Sequence, residues 1–267
     1  DVPQIGARGQ DRGKSGIFRV SPEPAPPARP RYEGPQRVLR TCLSSMAGSQ
    51  PFGQQMQREA HRRRFFEAER RVFIGDGLAW NWSIWKEHFS TFTPILDFIH
   101  AIQYLYAAAE AWESDGPARW ARYLRFAEAA WQGRTDDVIA EIENELAARR
   151  ASDDPLVRAD DVSEDHPWQP LIAAARYLRN NRQRMDYPRY RRQGLPITSS
   201  PMESLIKQIN HRVKGTEMFW NDPDGAEAIL QIRAASLSED GRLNDHLAHR
   251  PGYPFTRRPN KTPTTAA

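Results

Sequence analysis

The 267-residue chain contains a single cysteine, Cys42. That excludes an intrachain disulfide and a cysteine-rich zinc site, and it fits a reducing compartment. There is no run of about 18 apolar residues and no charged-then-apolar opening segment, so no membrane partner is expected and the expected location is cytoplasmic. Phosphate-cradling glycine loops, Cys/His zinc spacings and nucleophile elbows are also missing, which removes the commonest nucleotide-binding, zinc and serine-hydrolase readings. No repeat of about 20–45 residues suggests a solenoid.

What is present describes a globular protein, 39% hydrophobic and 27% charged, with a net charge of +4. A chain of this length can bury one sizeable core with a second lobe or insertion. The mean charge is mild, but the arginines are clumped at Arg62-Arg63-Arg64, Arg70-Arg71 and Arg189 through Arg192. Such clumps suit a polyanionic partner; arginines scattered over solvated helix faces would read the same way.

Residues 1–36 are rich in Gly, Pro and Arg and lack the means to build a core. From Arg37, the stretch VLRTCLSS alternates roughly between apolar and polar residues and predicts a strand to Ser45. A helix follows, with Phe52, Met56 and Ala60 on one face. Arg71-Val72-Phe73-Ile74-Gly75-Asp76-Gly77 reads as a buried strand presenting Asp76 at its carboxyl end. The helix Leu78 to Phe89 places Leu78, Trp82, Trp85 and Phe89 inward. Thr93-Pro94-Ile95-Leu96-Asp97 is a second short strand ending in an acid, and Phe98 to Trp112 is the next helix, with Phe98, Ile102, Leu105 and Ala109 inward. Residues 37–115 therefore form the first part of an α/β core.

Residues 116–180 change to helices without strands. Trp120, Tyr123, Leu124, Ala127 and Trp131 mark one apolar face, Val138, Ile139, Ile142 and Leu146 another, and a third helix runs from Leu171 to Arg184. This is a helical insertion; residues 181–245 return to the core, and 246–267 read as a basic disordered tail. Within the return, Leu195 to Trp220 holds the strongest local signals. Ser200 as N-cap, Pro201 at the first helical position and Glu203 three residues after the cap spell a capping box. Met202, Leu205, Ile206, Ile209 and Val213 form the expected buried stripe, while Glu203, Lys207, Asn210 and Lys214 line the other face. A metal ligand heading a phosphate-binding row and a capping box on a solvated helix both fit this pattern.

Hard divalent cations take oxygen ligands, and phosphodiester chemistry with two of them needs carboxylates converging from different elements. Asp76 and Glu203 are candidates for two of these. Each also has a structural reading: Asp before Gly as a turn former, Glu as half of a capping box. Asp97 could equally cap its helix, and His100, one turn on, could orient the site or be a partly buried histidine.

Three blocks, GDGLAWNW at 75–82, LDFIHAIQYLY at 96–106 and GLPITSSPMESLIKQINHRVKGTEMFW at 194–220, resemble those of bacterial insertion-sequence DDE transposases, in the branch related to Mutator-like elements. The resemblance runs from roughly Arg37 to Phe255. It implies an RNase H-like core interrupted by an all-helical insertion, and it makes Asp76 and Glu203 the second and third catalytic acids. Asp97 and His100 match a supporting acid-or-cysteine, two residues, histidine motif, and the segment with Arg212, Lys214 and Trp220 matches one thought to contact DNA, with Lys207 beside it. It further implies two Mg²⁺ ions as cofactors and DNA, both element ends and target, as partner, bound by a homo-oligomer. The chain opens on Asp1, and no apolar strand underlies Asp1 or Asp11. The first acid of the triad is therefore expected outside the chain, which is read as a fragment. The alternative is an inactive remnant that only binds DNA.

Overall fold

A computed structural model describes residues 35–153, 163, 165–213 and 223–249. In chain order they form α1 (Ser49–Arg62), β1 (Val72–Gly75), α2 (Ala79–His88), β2 (Thr93–Leu96), α3 (Phe98–Trp112), α4 (Gly116–Trp131), α5 (Thr135–Asp153), α6 (Gln169–Asn181), α7 (Tyr187–Arg192), α8 (Ser200–Val213), α9 (Pro223–Leu237) and α10 (Arg242–His249). The class is α/β, mostly helical around one small sheet. No helix among the described residues is long and apolar enough to cross a membrane.

β1 and β2 pair in parallel, with Val72 opposite Thr93 and Gly75 opposite Leu96. Parallel neighbours need a crossover, and α2 supplies it. Ile95 and Leu96 are fully buried, as the unbroken apolar run predicts. Phe73 joins Ala60 of α1, Ile84 of α2, Phe89 and Phe92 in one aromatic-rich core. Along β2, the odd-numbered residues face β1: Thr93 N–H donates to Arg71 O and Asp97 N–H to Gly75 O, both at 2.8 Å. The opposite edge is covered by side chains and coil. There, Tyr187 Oη donates to Leu96 O (3.2 Å), Tyr190 Oη to Pro94 O (3.4 Å), and Phe98 N–H to Ile197 O (2.9 Å). Both tyrosine rings are buried, so α7 satisfies a strand edge that would otherwise bury unpaired carbonyls.

The expected strand at Arg37–Ser45 is not formed. The segment bonds to a helix end instead: Arg40 N–H donates to Glu239 Oε2 (2.8 Å), Cys42 N–H to Ser238 Oγ (2.9 Å), and Glu239 N–H to Arg40 O (2.9 Å). Cys42 inserts beside Leu205, Ile209 and Val213 of α8 and Leu230 and Ala234 of α9, making a second core. Alternating apolar residues meet this packing as well as they would meet a sheet, which is why the pattern misled.

Between β2 and α8 lies the helical insertion. α3 packs on α4 and α6, and α5 on α6. Alanines at 101, 108 and 109 flank Leu105 on the buried face of α3, and small side chains let helix backbones approach closely. α4 is rotated from expectation: Phe126, Ala129 and Ala130 are buried, whereas Trp120 and Leu124 are about half exposed. Phe126 lies edge-on to Trp112, and Arg122, stacked 3.9 Å over Trp112, is tied to Glu113 and Glu141. The α5 face is as expected, with Val138, Ile139, Ile142 and Leu146 all buried. α10 occupies Arg242–His249, four residues into the stretch read as a tail; residues 250–267 and 1–34 lie outside the described residues.

Candidate functional site

Because Gly75 and Leu96 are register partners, Asp76 and Asp97 follow them side by side at the carboxyl ends of two parallel strands. Neighbouring strands run about 4.8 Å apart, and the Asp97 N–H bond to Gly75 O extends the ladder to this point. Two acids separated by a helix in sequence thus meet at one end of the sheet.

Their environments differ sharply. Asp97 is 1% exposed. Its Oδ1 accepts the Ile99 N–H at 2.7 Å, capping α3. Its Oδ2 accepts the Ser199 N–H at 2.8 Å and the Ser199 hydroxyl, with His100 Nδ1 at 3.6 Å. Both oxygens are therefore committed to protein groups. Asp97 acts as a clamp that fastens the start of α8 to the end of β2.

Asp76 is half-buried. Its Oδ1 accepts the Leu78 N–H at 3.0 Å, an Asx-turn, and the Asn81 Nδ2–H at 2.6 Å. Among the described residues Oδ2 accepts no hydrogen bond, so within them Asp76 is both the turn former and a carboxylate with one oxygen unclaimed. From the far side the insertion holds the same residue. Tyr177 of α6 donates its hydroxyl to Asp76 O at 2.6 Å while its ring stacks 3.7 Å from that of Tyr104. Burial pushes the Tyr177 hydroxyl well up, with Tyr104 and the charges of Asp76 and Asp97 adding to it. It stays a donor at any physiological pH. Gly77, at φ +93°, is required here: a Cβ would stand 2.5 Å from the Tyr177 ring.

Glu203 lies in α8, four residues past Ser199, so its backbone belongs to the helix turn that the Asp97 clamp anchors. Its side chain lies outside the described part of the structure, as does that of Arg212. Helix α8 starts at Ser200, one residue earlier than a cap at Ser200 requires. The residue before the helix is Ser199, whose carbonyl accepts the Met202 N–H. Leu205, Ile209 and Val213 are buried as expected, but Met202 and Ile206 are about half exposed. Lys207 is exposed, one turn after Glu203. Lys214 and Trp220 lie outside the described residues.

For a hard divalent ion such as Mg²⁺ the donor chemistry at Asp76 fits: a carboxylate oxygen that no described residue claims. Asp97 does not fit as a ligand, since a metal would have to displace the Ser199 or Ile99 bond. No group of three or more metal-binding side chains occurs among the described residues, a set that leaves out the Glu203 carboxylate.

The arginine clumps are partly occupied. Arg62 pairs with Glu59 and Asp240, Arg64 with Glu67, and Arg189 with Asp186, while Arg70 and Arg71 donate to Gln193 O and Phe66 O. Arg70 and Arg71 also precede β1, at the end of the sheet opposite the acids. A cavity of about 380 Å³ between the 42–44 segment, α1 and α9 is lined by Arg58, Arg62, Arg242 and Glu59. Two of its three arginines are neutralised by Glu59 and Asp240, and none of its lining residues belongs to the acid pair.

Sequence reasoning missed Ser199, Asn81 and Tyr177. Asn81 falls inside the GDGLAWNW block, and Ser199 is the first of two adjacent serines, so both sat beside recognised signals. Tyr177 has no local signal: it reaches Asp76 only through helix packing. Comparison of the chain with protein-family models, with curated proteins and with solved structures finds no match to any of the three.

Proposed function

We propose that this chain is the core of a DDE transposase of insertion-sequence type, with an RNase H-like fold split by the helical insertion α4–α6. The observation that carries the reading is the juxtaposition of Asp76 and Asp97 at the carboxyl ends of paired strands, with α8, the helix of Glu203, fastened to Asp97 through Ser199. In open α/β sheets ligands gather at that end of the strands. The order strand, acid, helix, strand, acid, long helical insertion, then a helix bearing Glu, supports the same reading.

Asp76 and Glu203 would hold the metal. Mg²⁺ ions supply the activation of water and the stabilisation of the attacking and leaving oxygens in phosphodiester cleavage. Asn81 and Leu78 hold Oδ1 of Asp76, leaving Oδ2 for the ion; Tyr177 fixes the carbonyl of the same residue; Asp97 fixes where α8 begins, with His100 Nδ1 3.6 Å from its Oδ2. Lys207, exposed one turn beyond Glu203, would take a phosphate, with Arg212, Lys214 and Trp220 as further DNA contacts. A second reading, a DNA-binding module without chemistry, is favoured by one observation: Oδ1 of Asp76 and both oxygens of Asp97 already serve the turn and the clamp.

Nicking of supercoiled DNA carrying the element end, in the presence of Mg²⁺, tests the proposal in the full-length enzyme. Glu203→Gln removes the charge but retains hydrogen bonding, and Asp76→Asn does the same at the turn. Both should abolish nicking while DNA binding survives. Cleavage that persists in Glu203→Gln sinks the metal-ligand assignment, and binding without any Mg²⁺-dependent nicking favours the second reading.

A further inference from the structure

No carboxylate among the described residues neutralises Arg184. It ends the short 3-10 turn Arg182–Arg184 that continues α6. Its guanidinium lies 4.3 Å over the Trp82 ring, and Nη1 donates to Asn180 O at 3.1 Å and to Asn181 Oδ1 at 3.4 Å. No hydrogen bond of Nε or Nη2 and no ion pair of this residue occurs among the described residues. It is half-buried, and burial lowers its pKa from the ordinary arginine value, with Tyr190 partly opposing. A guanidinium remains charged even so, and its donors suit an oxyanion.

Two chains of contacts link this cation to the Asp76 turn. Through the first, the Trp82 ring that carries Arg184 packs against Gly75, where a Cβ would meet it at 3.2 Å; the residue before Trp82, Asn81, binds Asp76 Oδ1. Through the second, Arg184 bonds Asn181, Asn181 Nδ2 donates to Tyr177 O at 3.0 Å, and Tyr177 donates to Asp76 O. Both routes consist of rigid groups: a stacked indole, a helix end and a stacked tyrosine pair. The guanidinium is therefore held in place on groups that also contact the Asp76 turn, without pairing with the acid. Trp82 fixes one face of the guanidinium plane and Asn180 and Asn181 hold Nη1, leaving its fork of donors for a planar or tetrahedral oxyanion.

We infer that Arg184 binds a backbone phosphate of the nucleic-acid strand whose neighbouring phosphodiester lies at Asp76. The inference rests on the reading of the chain as a DNA-acting protein, and it adds a contact from the turn after α6 to those on α8. The insertion then does more than pack: α6 delivers one hydroxyl to the acid's backbone, and the turn after it sets a cation on Trp82.

Fluorescence anisotropy with a labelled DNA duplex, titrated with the full chain at several salt concentrations, is the test. One phosphate contact contributes a slope of about 0.9 in log affinity against log salt. Arg184→Gln should lower that slope by about 0.9 and weaken binding about eightfold at 0.1 M relative to 1 M salt. The loss should be alike for different DNA sequences, and Arg184→Lys should restore most of the slope. Thermal unfolding of both variants separates binding from folding, since loss of the cation–π contact alone lowers the melting temperature and leaves the slope unchanged. An unchanged slope in Arg184→Gln overturns the inference and leaves the DNA reading standing. A wild-type chain that binds no DNA overturns both.

Discussion

Replacing Asp97 by Asn tests the clamp that joins the acid pair to α8. The carboxylate accepts three hydrogen bonds from Ile99 and Ser199 and is 1% exposed. Asparagine offers one oxygen, so it can keep the α3 cap or the Ser199 contact, not both. Its amide then faces an N–H at close range, donor against donor. Keeping the Ser199 contact forfeits the helix cap, about 1 kcal/mol; keeping the cap forfeits a charged hydrogen bond and leaves the buried Ser199 N–H unsatisfied, about 2–3 kcal/mol, and the donor–donor clash adds to either. The expected loss is about 3 kcal/mol, a fall of about 6–12 °C in melting temperature for a protein of this size. Urea unfolding of wild type, Asp97→Asn, Ser199→Ala and the double variant measures it. Ser199→Ala should cost about 1 kcal/mol, and the two changes should couple by at least about 1 kcal/mol because they share Oδ2. Hydrogen exchange should show the amides of Leu205–Ile209 losing protection before those of β1 and β2. A loss below about 1 kcal/mol, or strict additivity, refutes the clamp.

Two further outcomes follow from other parts of the molecule. Glu59 bridges Arg62 and Arg242; burial, which raises its pKa, is outweighed by hydrogen bonds from Arg62, Arg242 and Thr41, and the carboxyl is held at about 2 against an ordinary 4.5. Its folded-state pKa is depressed, so its stabilisation is fully present above pH 4.5 and is lost as pH falls through about 2. A tenfold change in proton affinity is worth about 1.4 kcal/mol; discounted because Arg62 is half exposed, Glu59→Gln should cost about 2 kcal/mol at pH 7. By pH 3 under half of that difference should remain in urea titrations, and a penalty equal at both pH values would rule out the linkage. Gly77→Ala forces a positive-φ residue against the Tyr177 ring. About 2–3 kcal/mol should be lost in thermal unfolding, with DNA nicking reduced as the Asp76 turn shifts; a cost under about 0.5 kcal/mol, on the order of a surface change, would show that the close approach is not needed.

Local chemistry in the sequence determined the parts whose causes are local. Val72–Gly75 and Thr93–Leu96 read as strands because unbroken apolar runs of that length suit a buried parallel sheet, and Asp97 capped α3 because its oxygen reaches two residues along its own chain. The α5 face and the buried residues Leu205, Ile209 and Val213 followed from helical period alone. Tertiary structure decided what depends on who the neighbour is. Arg37–Ser45 met the end of α9 instead of a strand, since backbone groups take any donor or acceptor at the right spacing. α4 turned Trp120 outward because Phe126 had Trp112 to pack on. The register of Gly75 on Leu96 set side by side two acids that a helix separates in sequence, and α6 with the turn after it brought Tyr177 to Asp76 and Arg184 to Trp82 across about a hundred residues of chain. No pattern within a helix or strand encodes such meetings, because they arise only when separate faces bury one another.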